Sequence, residues 1–215
     1  MWQHFLDLFF PRRSLSGAEG EWITEQERSK LVPHPVIEET LALRKRGVRF
    51  LDRLVAASTY ADSPLLKKAI HTFKYGRIPA LDRELGHLIA GAAAVTDGTF
   101  VLCPVPLHWI RRFQRGFNQS ELLARVVARE RGLTVLPLLK RTRWTGSQMK
   151  RSRADRLTAM DGAFRCTVPH PPQHVVLIDD LSTTGTTLDR CAQTLKASGV
   201  QRVDAWVIAH DAKRI

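Results

Sequence analysis

At 215 residues, with 44% hydrophobic and 25% charged residues, the chain is long enough for one sizeable core and has an ordinary globular composition. No apolar run reaches membrane-spanning length. The cysteines Cys103, Cys166 and Cys191 are too few and too far apart for a disulfide framework or a zinc cluster, so a reduced, cytoplasmic protein is expected. The net charge of +12 is unevenly spread: residues 111–156 carry 13 Lys and Arg against Glu121, Glu130 and Asp155. That local +10 reads either as a field for a pyrophosphate-bearing substrate or nucleic acid, or as a solvated basic face.

In chain order, Phe5-Leu6-Asp7-Leu8-Phe9-Phe10 has no basic stretch before it and does not resemble a signal peptide. It predicts a short amphipathic helix ended by Pro11, packing through Trp2, Phe5, Leu6 and Phe9. Val36 to Leu54 has helical spacing interrupted by Gly47, and Leu54 to Tyr60 predicts a strand. Ser63-Pro64 is a capped helix start, followed by an apolar face of Leu66, Ala69, Ile70 and Phe73. Pro79 to Val95 predicts a second helix with Leu81, Leu85, Leu88, Ile89 and Ala92 inward. Phe100 to Pro104 is a buried strand. Asn118 and Glu121 have capping-box spacing before a helix that turns Leu122, Leu123, Val126 and Val127 inward and stops at Gly132. Leu133 to Leu139 predicts a strand, Lys140 to Arg156 a loop, Val175 to Ile178 the central strand and Val203 to Ala209 the last one. Between these two, Leu188, Cys191, Ala192 and Leu195 mark a helix ended by Gly199. Strands alternating with helices imply an α/β fold with a mostly parallel sheet (residues 54–215), preceded by a small N-terminal helical and irregular segment (1–53).

Function is most legible at Val175-Val176-Leu177-Ile178-Asp179-Asp180-Leu181-Ser182-Thr183-Thr184-Gly185-Thr186-Thr187. An apolar strand runs into paired acids, then into a hydroxyl-rich turn that opens a helix. Orphan amides and the positive helix end make such a turn a phosphate cradle. Gly185 keeps a side chain away from the closest backbone approach. The acids need a ligand that offers hydroxyls or a divalent cation, and a ribose phosphate meets both demands. The motifs of ordinary ATPase loops and of dinucleotide folds are absent. A second turn, His108-Trp109-Ile110-Arg111-Arg112-Phe113-Gln114-Arg115-Gly116 before a helix, has the chemistry of another anion site.

The acid-hydroxyl stretch resembles the 5-phosphoribosyl-1-pyrophosphate (PRPP) motif of type I phosphoribosyltransferases. Together with Pro104-Val105-Pro106-Leu107, Arg115-Gly116-Phe117-Asn118-Gln119, Arg141-x-Arg143-x-Thr145-x-x-Gln148 and Ile70-His71-Thr72-Phe73-Lys74-Tyr75, it resembles the ComF/GntX family of competence-associated phosphoribosyltransferase-like proteins, from about Leu54 to His210. The resemblance implies PRPP bound with Mg²⁺. Thr183, Thr184, Gly185, Thr186 and Thr187 would take the 5-phosphate, and Leu107, His108, Arg111, Arg112, Arg115 and Gly116 the pyrophosphate. It implies Asp179, Asp180 and Arg115 as catalytic groups, the two aspartates also as metal ligands, directly or through water, and Arg141, Arg143, Thr145 and Gln148 as a closing loop. The family's association with DNA uptake makes single-stranded DNA a second candidate partner, and a non-catalytic DNA-binding or PRPP-sensing protein the alternative function. Two departures stand out. The N-terminal zinc-ribbon cysteines are missing, Ser14 and Ser16 standing nearby, so no structural zinc is expected; and Thr183 stands where purine transferases place an acid, which weakens a purine-salvage reading.

Overall fold

The computed structural model of the chain describes residues 13–61, 63–76, 78, 81–93, 98–107, 113, 116–142 and 162–211. The predicted N-terminal helix through Phe5 and Phe9 lies outside them. The elements are α1 (Glu25–Lys30), β1 (Val36–Glu39), α2 (Thr40–Lys45), β2 (Arg53–Thr59), α3 (Pro64–Tyr75), α4 (Leu81–Ala92), β3 (Val101–Pro104), α5 (Gln119–Arg131), β4 (Leu139–Arg141), β5 (Phe164–Cys166), β6 (His174–Ser182), α6 (Thr186–Ala197) and β7 (Arg202–His210).

Five strands form one sheet in the order β1-β2-β7-β6-β3. All neighbours are parallel except the edge pair, where Val36 to Glu39 run antiparallel to Ala56 to Arg53. Because side chains alternate across a strand, β6 supplies Val176 and Ile178 to one core layer and Val175 and Leu177 to the other. The first layer holds α3, α4 and α5 with Leu66, Phe73, Leu85, Leu123 and Trp206. The second holds α6, Leu43, Val48 and Leu51, and the small ribbon of β4 and β5. Both faces are covered, which is why the central strands carry continuous apolar runs at residues 175–178 and 205–209. Burial raises the thiols of Cys103, to about 12, and of Cys191; they are inert packing residues. No helix among the described residues is long and apolar enough to cross a membrane.

Three sequence expectations need correction. Val36 to Glu39 is a strand rather than part of a helix, and only Thr40 to Lys45 is helical. Backbone pairing with β2 outweighs the helical spacing. Leu133 to Leu139 does not form one strand: Val135 makes an isolated parallel bridge to Leu102, and regular pairing begins only at Leu139. Pro137, which has no amide to donate, separates the two. Asn118 caps α5 with no side-chain bond; its Nδ2 donates to the Val105 carbonyl at 3.2 Å. The inward face of α5 holds the buried Leu123, Ala124, Val126 and Val127, with Leu122 partly buried against the same core layer.

Candidate functional site

From β3 the chain crosses through α5, on one face, to the Val135 bridge beyond the sheet edge. From β6 it crosses through α6, on the other face, inward to β7. The direction of winding therefore reverses between β3 and β6, and a crevice opens at their carboxyl ends, where ligands bind in open α/β sheets. Pairing of β6 with β3 stops at Ile178, whose carbonyl accepts from the Val105 amide at 3.0 Å. On its other side β6 stays paired with β7 as far as Ser182. Asp179 and Asp180 thus lie past the end of β3 while remaining inside β6, whose pairing with β7 holds their backbone in place.

Each acid is held by a different helix. The Ser120 hydroxyl in the first turn of α5 donates to Asp179 Oδ1 at 2.9 Å, as does the Asp180 amide at 2.9 Å. Lys74 Nζ, near the end of α3, lies 2.9 Å from Asp180 Oδ1. Burial, and then the charge of Asp180, push the partly buried Asp179 carboxyl up to about 7, against the pull of these hydrogen bonds and of Lys74. In each carboxylate Oδ1 is engaged, which leaves Oδ2 for a ligand hydroxyl or a hydrated divalent cation. Among the described residues no group of three or more metal-ligating side chains exists, so a cation here would take most of its ligands from water and substrate.

The turn from Thr183 to Thr187 encloses a hollow of about 30 Å³. Gly185 is the N-cap of α6 with φ 75°, and Asp189 N donates to its carbonyl at 2.9 Å. The Thr184 and Thr186 hydroxyls lie 2.9 Å apart. The glycine has a second reason to be there: a Cβ at 185 would stand 2.8 Å from Val48 Cγ2. The turn at 46–51 braces the hydroxyl loop from behind. Arg46 Nη2 donates to the Thr183 carbonyl at 2.9 Å, and Asp189 Oδ1 accepts from the amides of Arg49, Phe50 and Leu51. Arg46 also pairs with Glu38 and lies 2.8 Å from His210 Nε2, while His210 Nδ1 faces the Ser182 carbonyl at 2.9 Å. Burial, then the Arg46 charge, lower the His210 pKa, consistent with a neutral ring that donates through Nδ1 and accepts at Nε2.

Asp179, Asp180 and Thr183 to Thr187 are brought together as the sequence suggests. Leu107 and Gly116 (φ 82°) are described on the chain leading away from β3. His108, Arg111, Arg112 and Arg115 of the second turn, and Arg143, Thr145 and Gln148 of the basic stretch, lie outside the described residues. Lys140 and Arg141, expected at the start of the basic loop, instead pair with β5 as the end of β4, the Arg141 guanidinium 5.5 Å from the Phe164 ring centroid. Sequence reading passed over Ser120, Arg46, Val48 and His210, and left Lys74 undecided. Lys74 sits in the Ile-x-x-Phe-Lys-Tyr segment, which was a usable signal; Ser120 follows directly on the Arg-Gly-Phe-Asn-Gln motif.

No family model matches the chain. Among curated proteins it is 31% identical over 168 residues to competence protein F of Haemophilus influenzae, covering 74% of this chain and 72% of the relative. It is 33% identical over 163 residues to the DNA utilization protein YhgH of Escherichia coli, covering 73% and 71%. With competence protein ComFC of Bacillus subtilis it shares 30% over 148 residues, 66% of this chain and 58% of the relative. Identity at this level over about three quarters of the sequence, together with the parallel sheet and the acid-hydroxyl crevice, shows that the chain belongs to the ComF family.

Proposed function

We propose that this protein binds PRPP with Mg²⁺ and transfers or handles its phosphoribosyl group in the service of DNA uptake and use. The observation that carries the reading is the acid pair Asp179/Asp180 set at the sheet's reversal point and running directly into the Thr183–Thr187 turn at the start of α6. The amides and hydroxyls of that turn suit the 5-phosphate, and the two unengaged carboxylate oxygens suit the ribose hydroxyls or metal-bound water. The relatives' names, competence protein and DNA utilization protein, supply the biological setting.

In a transfer, the ribose C1–O bond to pyrophosphate breaks, pyrophosphate leaves with the electron pair, and C1 bonds to the acceptor. Positive charge develops on the ribose, and the fixed carboxylates on β6 would stabilise it. Ser120 and Lys74 orient those carboxylates. Bound Mg²⁺ would supply charge neutralisation to the pyrophosphate. Arg111, Arg112 and Arg115 are assigned to the same leaving group on sequence grounds.

Calorimetry with PRPP and Mg²⁺ tests this. Wild type should bind, and Asp179→Asn/Asp180→Asn should bind at least tenfold more weakly, about 1.4 kcal/mol. Absence of binding by wild type, or equal affinity in the variant, removes the reading; binding without turnover over a panel of acceptors removes only the transfer step. A second reading, a non-catalytic protein that binds single-stranded DNA, is favoured by the +10 charge of residues 111–156.

A further inference from the structure

A cavity of about 550 Å³ lies on the far side of the 46–51 turn, between the end of α2 and the first half of α6. Its wall includes Lys45, Arg49, Phe50, Asp189, Arg190 and Gln193. Its size is that of a small-molecule site. The side chains of Lys45 and Arg49 are exposed and have no partner among the described residues. The acid in the wall, Asp189, is buried and accepts the three backbone amides of 49–51 through Oδ1, at 2.8, 2.6 and 3.3 Å. It fixes the turn instead of pairing with the cations. Arg190 Nη1 is oriented by Gln193 Oε1 at 2.8 Å. Phe50, half-buried and anchored against the core layer below, adds an aromatic surface to the same wall.

We propose that this cavity is a nucleotide-binding site, separate from the acid-hydroxyl crevice and not dependent on the PRPP reading. Cations converging on one concavity recruit phosphates, and arginine does so with directed hydrogen bonds. An aromatic ring beside them gives a base a stacking surface, and Gln193 Nε2, whose amide oxygen is taken by Arg190, offers a donor to a base edge. The ligand's shared chemistry is a nucleoside phosphate, whether free or as one unit of a single strand.

The test is calorimetry on the full chain with dTTP, a dT oligonucleotide and inorganic pyrophosphate as probes. It compares wild type, Lys45→Glu/Arg49→Glu and Asp179→Asn/Asp180→Asn. Both reversed side chains are exposed, so that variant should melt like wild type. Expected is dTTP binding that weakens at least tenfold in the charge reversal and is unchanged in the acid-pair variant. An oligonucleotide that competes with dTTP and shows the same sensitivity assigns the site to a strand; one that does not compete assigns it to free nucleotide. Pyrophosphate binding as tightly as dTTP overturns the role given to the base. Absence of dTTP binding, or binding indifferent to the reversal but lost with the acid pair, overturns the site itself, and neither result bears on whether PRPP binds.

Discussion

Gly185 carries two constraints at once. Its φ of 75° lies in the left-handed region, and the space a Cβ would occupy is 2.8 Å from Val48 Cγ2. A side chain here would crowd the phosphate side of the turn and also meet a buried neighbour behind it, so stability as well as binding is at stake. Gly185→Ala should cost about 1–3 kcal/mol of stability, from backbone strain and overpacking together, and should weaken PRPP binding. The companion Gly185→Ala/Val48→Ala relieves the contact but not the dihedral. Urea melts of the two should therefore show partial recovery in excess of the cost of Val48→Ala alone. A Gly185→Ala protein with the wild-type midpoint would show that the turn does not lean on Val48.

Among the elements, α1 shows how a short helix is fastened without a metal or a disulfide. Thr24 and Glu27 form a reciprocal capping box, and the same carboxylate accepts from the Ser14 hydroxyl at 3.0 Å and from the Ser16 amide. Arg28 then bridges to Glu84 of α4 through two bonds of 3.0 and 2.9 Å. Burial pushes the Glu27 carboxyl up, but the hydrogen bonds from Ser16, Thr24 and Ser14 together outweigh it and hold the pKa at about 2 against an ordinary 4.5. The folded value lies below the unfolded one. The stabilisation is therefore complete above about pH 5 and is lost as the pH falls toward 2, amounting to about 3 kcal/mol. Unfolding free energies measured across that range should fall more steeply for wild type than for Glu27→Gln by roughly this amount, and parallel curves would refute the assignment. Elements of this kind mark the limit of what the sequence discloses. The central strand, its acids and the helix after them are legible because one continuous stretch carries the whole pattern. The edge strand at Val36 and the broken pairing at Val135 are not, because their partners lie elsewhere in the chain. The same holds in the site. Ser120 reaches Asp179 across 59 residues and Arg46 reaches Thr183 across 137, and no local periodicity announces such contacts.

For the whole molecule the dominant physical quantity is charge. The net +12 is concentrated in residues 111–156, and α5 shows that part of it is already spent: Arg125 pairs with Glu121 at 2.6 Å and Arg131 donates to the Ala90 carbonyl at 3.1 Å. Of the other cations of that segment, Arg129, Lys140 and Arg141 are described, while Arg111, Arg112, Arg115, Arg143, Lys150, Arg151, Arg153 and Arg156 lie outside the described residues. If they act together on a polyanion, binding must carry the signature of counterion release, because each phosphate neutralised frees condensed salt. For single strands the logarithmic slope is about 0.7 per contact, so five contacts predict a slope near −3.5 and an affinity loss of about a hundredfold between about 50 and 200 mM salt. Fluorescence anisotropy with labelled single-stranded DNA should show this dependence, with little preference among sequences. The Lys45→Glu/Arg49→Glu protein separates the two basic regions. A slope reduced by about 1.4 would mean that the strand also covers the cavity behind the phosphate turn. An unchanged slope would confine DNA to the 111–156 segment, and a flat response in wild type would leave PRPP as the sole anion for which this field is built.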